Sequence, residues 1–147
     1  MRQVIDPNLR RVKLPEEIED FVFLAARATA RHLGDGLSAT ELYGQRKFQP
    51  VSRGRWVLAI VLRETVYYQP DEHRQPTDWR VHLGEGPPTE RHRPISYPII
   101  GAVFGRHHSN FVIGGEGRDQ HYQEAVRIVA GLRNRAAAPM NDITEAA

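Results

Sequence analysis

Residues 96–114 read SYPIIGAVFGRHHSNFVIG and contain two short helical patterns, separated by a glycine-containing corner at Phe104-Gly105-Arg106. Further polar side chains follow the corner directly, at His107, His108, Ser109 and Asn110. A helix, a tight turn and a second helix that begins with hydrogen-bonding groups can present those groups to the major groove of DNA. The stretch therefore predicts a helix-turn-helix that binds DNA.

Length and composition limit the class of protein. The 147 residues suffice for one domain, and an apolar share of 40% supports a packed core. The chain has no cysteine, which excludes disulfides, thiolate catalysis and cysteine-based zinc sites. No apolar run approaches the roughly 20 residues that cross a bilayer, and the first residues lack the apolar stretch of a secretory signal. We expect a soluble cytoplasmic protein.

The first part of the chain contains two helical patterns. Apolar residues recur every three or four positions across residues 16–33, Pro15 suits the first turn, and Gly34 predicts the end of the helix. Residues 38–41, Ser-Ala-Thr-Glu, have the form of a capping box. They predict a short helix that carries Leu42 and Tyr43.

Two further helices are predicted beyond a basic loop at residues 44–52. Residues 56–62 are apolar nearly all round, which indicates a buried central helix capped by Ser52; a β-strand is the alternative for such a run. The cap and the alanine and leucine content favour the helix. Residues 119–132 predict a last amphipathic helix. Its apolar face carries Tyr122, Ala125, Val126, Val129 and Leu132.

Residues 65–94 interrupt the helical patterns. Prolines and glycines punctuate this segment heavily, and residues 77–83 alternate weakly, as in one arm of a hairpin. The predicted fold class is therefore mainly all-α: a small helical bundle with a helix-turn-helix and an irregular or β-hairpin insertion at 65–94. The domain is predicted to span residues 16–133, after an N-terminal lead-in at 1–15 and before a flexible tail at 134–147.

A locally basic stretch precedes and enters the predicted central helix. Residues 46–55 carry four cations and no acid, namely Arg46, Lys47, Arg53 and Arg55. In a chain of formal net charge +2, this pattern predicts a localised polyanion contact, with a solvated surface as the alternative.

Two separated blocks give the chain a family resemblance. Residues 37–64, LSATELYGQRKFQPVSRGRWVLAIVLRE, and residues 96–112 are similar to the C-terminal DNA-binding domain of the bacterial replication initiator DnaA, a helical domain of the Trp-repressor-like group. The first block looks like the family's short helix, basic loop and long buried helix. The second is similar to its signature of Ser-x-Pro, Ile-Gly, Phe-Gly and Arg-Asp-His-Thr-Thr. This chain has Ser96-Tyr97-Pro98, Ile100-Gly101, Phe104-Gly105 and Arg106-His107-His108-Ser109-Asn110 at those positions.

The resemblance implies a DNA-contacting role for each matching position. The family's basic loop enters the minor groove, and the matching residues here are Arg46, Lys47 and Gln49. The start of the family's buried helix touches phosphate, which implies phosphate contacts by Arg53, Arg55 and Trp56. The family's Ser-x-Pro corner lies against DNA, and the matching residues are Ser96, Tyr97 and Pro98. The family's recognition helix reads the major groove, which implies base or backbone contacts by Arg106, His107, His108, Ser109 and Asn110.

Several of these residues also have plain structural interpretations. Ser52 and Ser96 can act only as helix caps, and Trp56 and Tyr97 can simply pack in or near the core. The histidines at 107 and 108 can form a surface pair without a partner. These alternatives remain open from the sequence.

The chain also departs from the family. His107 replaces the aspartate, and Ser109 and Asn110 replace the two threonines. Because aspartate accepts hydrogen bonds from cytosine whereas neutral histidine donates or accepts, we expect a different target sequence. No GxxxxGK[ST] phosphate loop occurs, so we expect no nucleotide binding and no ATPase motor. The implied function is sequence-specific binding of double-stranded DNA by a bacterial or phage transcriptional regulator or replication-associated factor in the nucleoid.

Other function classes compete with this interpretation. Seven histidines suggest a metal site, but no HExxH spacing occurs. A metal site could therefore be assembled only from ligands on loops that are far apart in the sequence. The acids Asp71, Glu72 and Asp78 suggest a hydrolase, although no paired nucleophile and base is recognisable. We therefore expect no enzymatic activity, no cofactor and no membrane partner. An adaptor that uses the 65–94 insertion to bind a protein partner or a second copy of the chain is the main alternative.

Overall fold

The computed structural model describes residues 14–34, 36–43, 49–104 and 118–136. The helices within these ranges are α1 (Glu16–Leu33), α2 (Ala39–Tyr43), α3 (Gln49–Thr65), α4 (Tyr97–Val103) and α5 (Arg118–Ala136). The strands are β1 (Val66–Pro70), β2 (Pro76–Val81) and β3 (Arg93–Pro94). The prediction of a mainly helical protein with a hairpin in its insertion is confirmed at this level.

The first helix has the bounds that its end signals predicted. Pro15 precedes it, three acids occupy its first turn, and Gly34 ends it with φ of 71°. The backbone N–H of Gly34 donates to the carbonyl oxygen of Ala30, as expected where a glycine adopts a left-handed conformation after a helix. The apolar face of α1, which includes Val22 and Ala25, is buried.

The central helix begins earlier than predicted. Gln49 is its first residue, so Ser52 lies inside α3 and is not its cap. Pro50 occupies the first turn, where its missing N–H removes no helical hydrogen bond, and therefore lies within the helix rather than at the end of a loop. The helix rather than the strand is correct for residues 56–62. Its fully buried side chains are Val57, Leu58, Ala59, Val61 and Leu62.

The insertion folds into an antiparallel sheet with the strand order β2-β1-β3. The predicted hairpin arm is confirmed as β2, and its partner β1 follows α3 without a connecting loop. Asp71 shapes the turn between them, because its Oδ1 accepts the backbone N–H groups of His73 and Gln75 at 2.8 Å. Tyr68 and Trp79 pack across the two strands with ring centroids 5.3 Å apart.

The core lies around α3, which contacts α1, α5 and the sheet. Helix α5 starts one residue before the predicted helix and continues to Ala136, so the first residues of the predicted tail are helical. Its buried face comprises Ala125, Ile128, Val129 and Leu132. The predicted apolar face was wrong at Tyr122 and Val126, which are 48% and 44% exposed.

None of the helices in the described ranges combines the length and the apolarity that crossing a bilayer requires.

Candidate nucleic-acid interface

The predicted DNA-contacting residues divide into three groups. Seven lie outside the described residues: Arg46, Lys47, Arg106, His107, His108, Ser109 and Asn110. Gln49 is the first residue of α3, and nothing is described of its side chain. The structure describes the remaining six completely: Arg53, Arg55, Trp56, Ser96, Tyr97 and Pro98. The predicted arrangement of the basic loop and the polar tip on one side of the molecule therefore stays a prediction.

The first helix of the predicted helix-turn-helix is formed. Ser96 is its cap, since its Oγ accepts the backbone N–H of Ile99 at 3.3 Å, and Pro98 occupies the first turn. Ile99 and Ile100 are buried, and Phe104 ends the helix with 7% of its surface exposed. The capping interpretation of Ser96 is thus confirmed, while its contact with DNA stays a prediction. The polar residues at 106–110 begin directly beyond this anchored helix end.

Tyr97 lies against an arginine that the sequence did not indicate. The guanidinium carbon of Arg63 lies 4.7 Å from the centroid of the Tyr97 ring. The same arginine donates from Nη1 to the carbonyl oxygen of Ile95 at 2.9 Å. Arg63 therefore joins α3 to the residues that connect β3 with α4. Tyr97 is half-buried, so part of its ring remains accessible beside this contact.

Arg53 is paired within the protein. Its Nη2 lies 2.5 Å from Oε2 of Glu124 on α5, and its side chain is 30% exposed. A phosphate at this position would have to share the guanidinium with Glu124. Arg53 is therefore not a free surface cation. Its side chain is nevertheless partly exposed, so a phosphate could still reach the guanidinium.

Arg55 corrects the sequence prediction, because its side chain is buried with 1% of the residue exposed. Its Nε donates to the carbonyl oxygen of Leu42 at 3.1 Å, and its Nη2 donates to that of Glu41 at 3.3 Å. Carbonyl groups in the last turn of a helix lack intrahelical donors, so the guanidinium satisfies the end of α2. An arginine buried in this way cannot contact a phosphate without leaving the core.

The junction that Arg55 joins is closely packed. A Cβ atom on Gly54 would lie 2.6 Å from Cδ2 of Leu42, so glycine allows α3 to approach α2 at this point. Ser38 starts α2 by accepting the backbone N–H of Glu41 at 3.2 Å, as the capping box predicted. Helices α2 and α3 are therefore fixed on both sides of the basic segment at 44–48.

Trp56 packs against α5. Its ring meets that of His121 edge-on, with centroids 5.6 Å apart and an interplanar angle of 76°. Trp56 is half-buried, whereas His121 is 8% exposed, and its buried Nδ1 has no hydrogen-bond partner among the described residues. Trp56 is not among the described residues that form the hydrophobic core or pack against it, so core packing is not confirmed, and its contact with DNA stays a prediction.

A cleft of about 360 Å³ lies between α3, the start of α4 and the start of α5. It is lined by Ile60, Arg63, Glu64, Pro94, Tyr97, Asp119 and Tyr122. The negative charge of Glu64 is the main cause that raises the pKa of Tyr122 above its ordinary value. Burial first and the charge of Glu64 second raise the pKa of Tyr67.

We expect Glu64→Gln to lower the pKa of Tyr122 towards its ordinary value of 10.0, because the main cause of its rise is the charge of Glu64. Tyr67 should keep a raised pKa, since burial is the larger cause there. Each raised pKa favours the folded state at neutral pH, and that contribution is lost as the pH rises through the folded-state value. Alkaline titration of ¹³C-labelled tyrosine rings by NMR, with Tyr122→Phe to assign the signal, measures both shifts. An unchanged Tyr122 titration in Glu64→Gln would contradict this interpretation.

Three acids of the insertion, Asp71, Glu72 and Asp78, have structural partners. Asp78 Oδ2 lies 3.1 Å from Nε2 of the buried His92, and Thr89 Oγ1 lies 2.6 Å from its Nδ1. Asp71 forms the hairpin turn, and Glu72 pairs with His73 on its exposed tip. Among the described residues, no group of three histidine or acidic side chains is placed to hold a metal ion.

Comparison with known proteins identifies no family for this chain. No protein-family model matches the chain, and no match was found among curated proteins or solved structures. The resemblance to the initiator's DNA-binding domain therefore stays a prediction from the two sequence blocks.

Proposed function

We propose that this protein binds double-stranded DNA in a sequence-specific way, as a transcriptional regulator or a replication-associated factor associated with the nucleoid. The main structural support is helix α4. This short helix is capped by Ser96, anchored in the core by Ile100, and ends at Phe104. A rigid first helix is what a recognition helix beginning near His107 needs in order to be held in the major groove.

The basic segment supports the same proposal. Residues 44–48 connect the end of α2 to the start of α3, and Arg55 hydrogen-bonds the last turn of α2 from inside α3. A loop with both ends fixed loses less conformational entropy when it binds than one attached to mobile ends. Arg46 and Lys47 are therefore carried on a short connection between fixed points, as insertion into a minor groove requires.

The adaptor alternative receives less support. The side chains of the insertion that an adaptor would use to bind a partner are Tyr67, Tyr68, Trp79 and Val81. Tyr67 is 2% exposed, and the other three are partly buried against the core. Because these side chains stabilise the sheet and its packing, they do not form an exposed apolar patch for a partner.

The proposal predicts a salt-dependent DNA affinity that depends on three cations outside the described residues. Each phosphate contact contributes about 0.9 to the slope of log K against log salt, so Arg46→Ala/Lys47→Ala/Arg106→Ala should lower the slope by up to about 2.7. Fluorescence anisotropy with a mixed-sequence duplex over a salt series measures the slope. The matched control is Arg74→Asn/Arg91→Ala/Arg93→Ala, which removes three charges from exposed arginines of the insertion and should leave the slope nearly unchanged. Asparagine is chosen at position 74 because it tolerates the positive φ of 63° found there.

An equal slope in the wild-type protein and the triple variant would exclude these cations from the interface. Selection of bound duplexes from a random pool then tests sequence specificity. A defined consensus supports the proposal, whereas recovery of unrelated sequences would reduce it to non-specific binding.

A further inference from the structure

The acids of helices α1 and α5 are confined to the first half of each helix. In α1 the acids lie in residues 16–20, and residues 21–34 contain no acid. In α5 the acids are Asp119 and Glu124, and residues 125–136 contain none. The basic halves carry Arg27, Arg31, His32, Arg127, Arg133 and Arg135.

The fold brings these two basic halves together. A groove of about 200 Å³ lies between α1 and α5, lined by Ala28, Arg31, His32, Arg127, Ile128, Gly131, Leu132 and Arg135. No carboxylate lines it. Ile128 and Leu132 form a buried floor, and a Cβ atom on Gly131 would meet nothing within 4 Å, so no side chain covers the groove at Gly131.

Five arginines of the described residues have partners within the protein, whereas the groove arginines, like the side chains of Arg27, Arg74, Arg91 and Arg93, have none. The groove is distinguished by the three arginines that it brings together. Arg53, Arg55, Arg63, Arg80 and Arg133 each have a hydrogen-bond partner or an ion-pair partner. Arg31, Arg127 and Arg135 are exposed, and within the described ranges they form no hydrogen bond or ion pair. Interaction with the negative end of a helix accounts for Arg31 and Arg135 in the last turns. It does not account for Arg127, which lies in the middle of α5.

We propose that the groove between α1 and α5 binds backbone phosphates of duplex DNA, as a second contact outside the helix-turn-helix. This inference rests on the proposed function. Three guanidinium groups around an acid-free groove supply the planar, charged donors that bind phosphate oxygens.

The test compares four proteins on a mixed-sequence duplex over a salt series. Arg31→Gln/Arg127→Gln removes two groove charges and keeps good helix formers at both positions. Arg91→Gln/Arg93→Gln removes the same charge from exposed positions on the insertion and is the matched control. The wild-type protein and Arg46→Ala/Lys47→Ala/Arg106→Ala complete the set. We expect the groove variant to lower the salt slope by up to about 1.8, at about 0.9 for each contact, with the control unchanged.

The two proposals fail in different ways. A groove variant with the wild-type slope would overturn the groove proposal and leave the helix-turn-helix proposal standing. If the Arg46, Lys47 and Arg106 variant kept the wild-type slope while the groove variant lowered it, the helix-turn-helix proposal would be overturned and the groove proposal would stand. Absence of salt-dependent duplex binding by the wild-type protein would overturn both. Phosphatidylserine vesicles serve as the second probe: if only they lose affinity in the groove variant, the groove binds a membrane surface and the DNA assignment is wrong.

Discussion

Arg55→Ala is expected to lower the free energy of unfolding by about 3 kcal/mol, because each buried carbonyl left without a donor costs about 1–3 kcal/mol and the lost side-chain volume adds to this. Two such carbonyls are involved, those of Leu42 and Glu41. Urea denaturation monitored by circular dichroism measures the change. A loss below about 1 kcal/mol would mean that the guanidinium does not stabilise the end of α2.

Arg55→Met separates the structural role from a DNA contact. Methionine retains much of the apolar volume and removes every donor, so this variant should be destabilised less than Arg55→Ala. Its DNA affinity is expected to fall through loosening of the junction between α2 and α3, while the salt slope stays the same. A slope lowered by about 0.9 would instead show that Arg55 leaves the core and contacts a phosphate.

Ile100→Ala is expected to cost about 2–5 kcal/mol, as for other large-to-small changes of fully buried side chains. Ile100 has no exposed surface, and α4 has seven residues, which is too short for a stable isolated helix. The loss should therefore weaken both the fold and the attachment of the residues beyond Phe104. Thermal or urea unfolding measures the first effect, and duplex binding at a temperature where the variant is folded measures the second.

A graded series on the same helix provides the control. Ile100→Val should cost about 0.5–1.5 kcal/mol, because it removes one methylene from the same site. Val103→Ala should cost less than Ile100→Ala, since Val103 is only partly buried. If Val103→Ala were the more damaging change for stability, α4 would not be anchored through Ile100.

Local signals at helix ends predicted most of the helical fold. Pro15 and Gly34 gave the bounds of α1, and Ser38 and Ser96 gave the starts of α2 and α4, because capping depends on residues close in sequence. Ser52 misled the prediction for α3, since a serine before an apolar run has the form of a cap even when the helix already surrounds it.

Non-local pairing explains the other differences in the fold. Strand β1 was not predicted because its five residues follow α3 directly, and they become a strand through pairing with β2 and β3. Tyr122 and Val126 belong to the periodic apolar pattern of α5 but lie at the edge of its contact with α3. The period of a helix gives a face, whereas the neighbouring helix determines how much of that face is covered.

The roles of the arginines were the least predictable part of the site. Arg53 and Arg55 are two residues apart in one basic run, yet the first pairs with Glu124 and the second is buried beneath α2. Neither partner lies near in sequence. The sequence identified the cations, but only the packing distinguishes a surface charge from a buried donor.

The pairing of β1 with β3 determines how this chain should be aligned with a homologue that lacks the insertion. Tyr67 lies opposite Pro94 and Tyr68 opposite Arg93, so the chain returns to the place from which the insertion departed. Neighbouring strands are about 4.8 Å apart, a gap that a tight reverse turn can span. A homologue with such a turn would keep the same route from α3 to α4. The two chains should therefore be aligned by superposing α3 and α4, with a gap over the residues inserted between them.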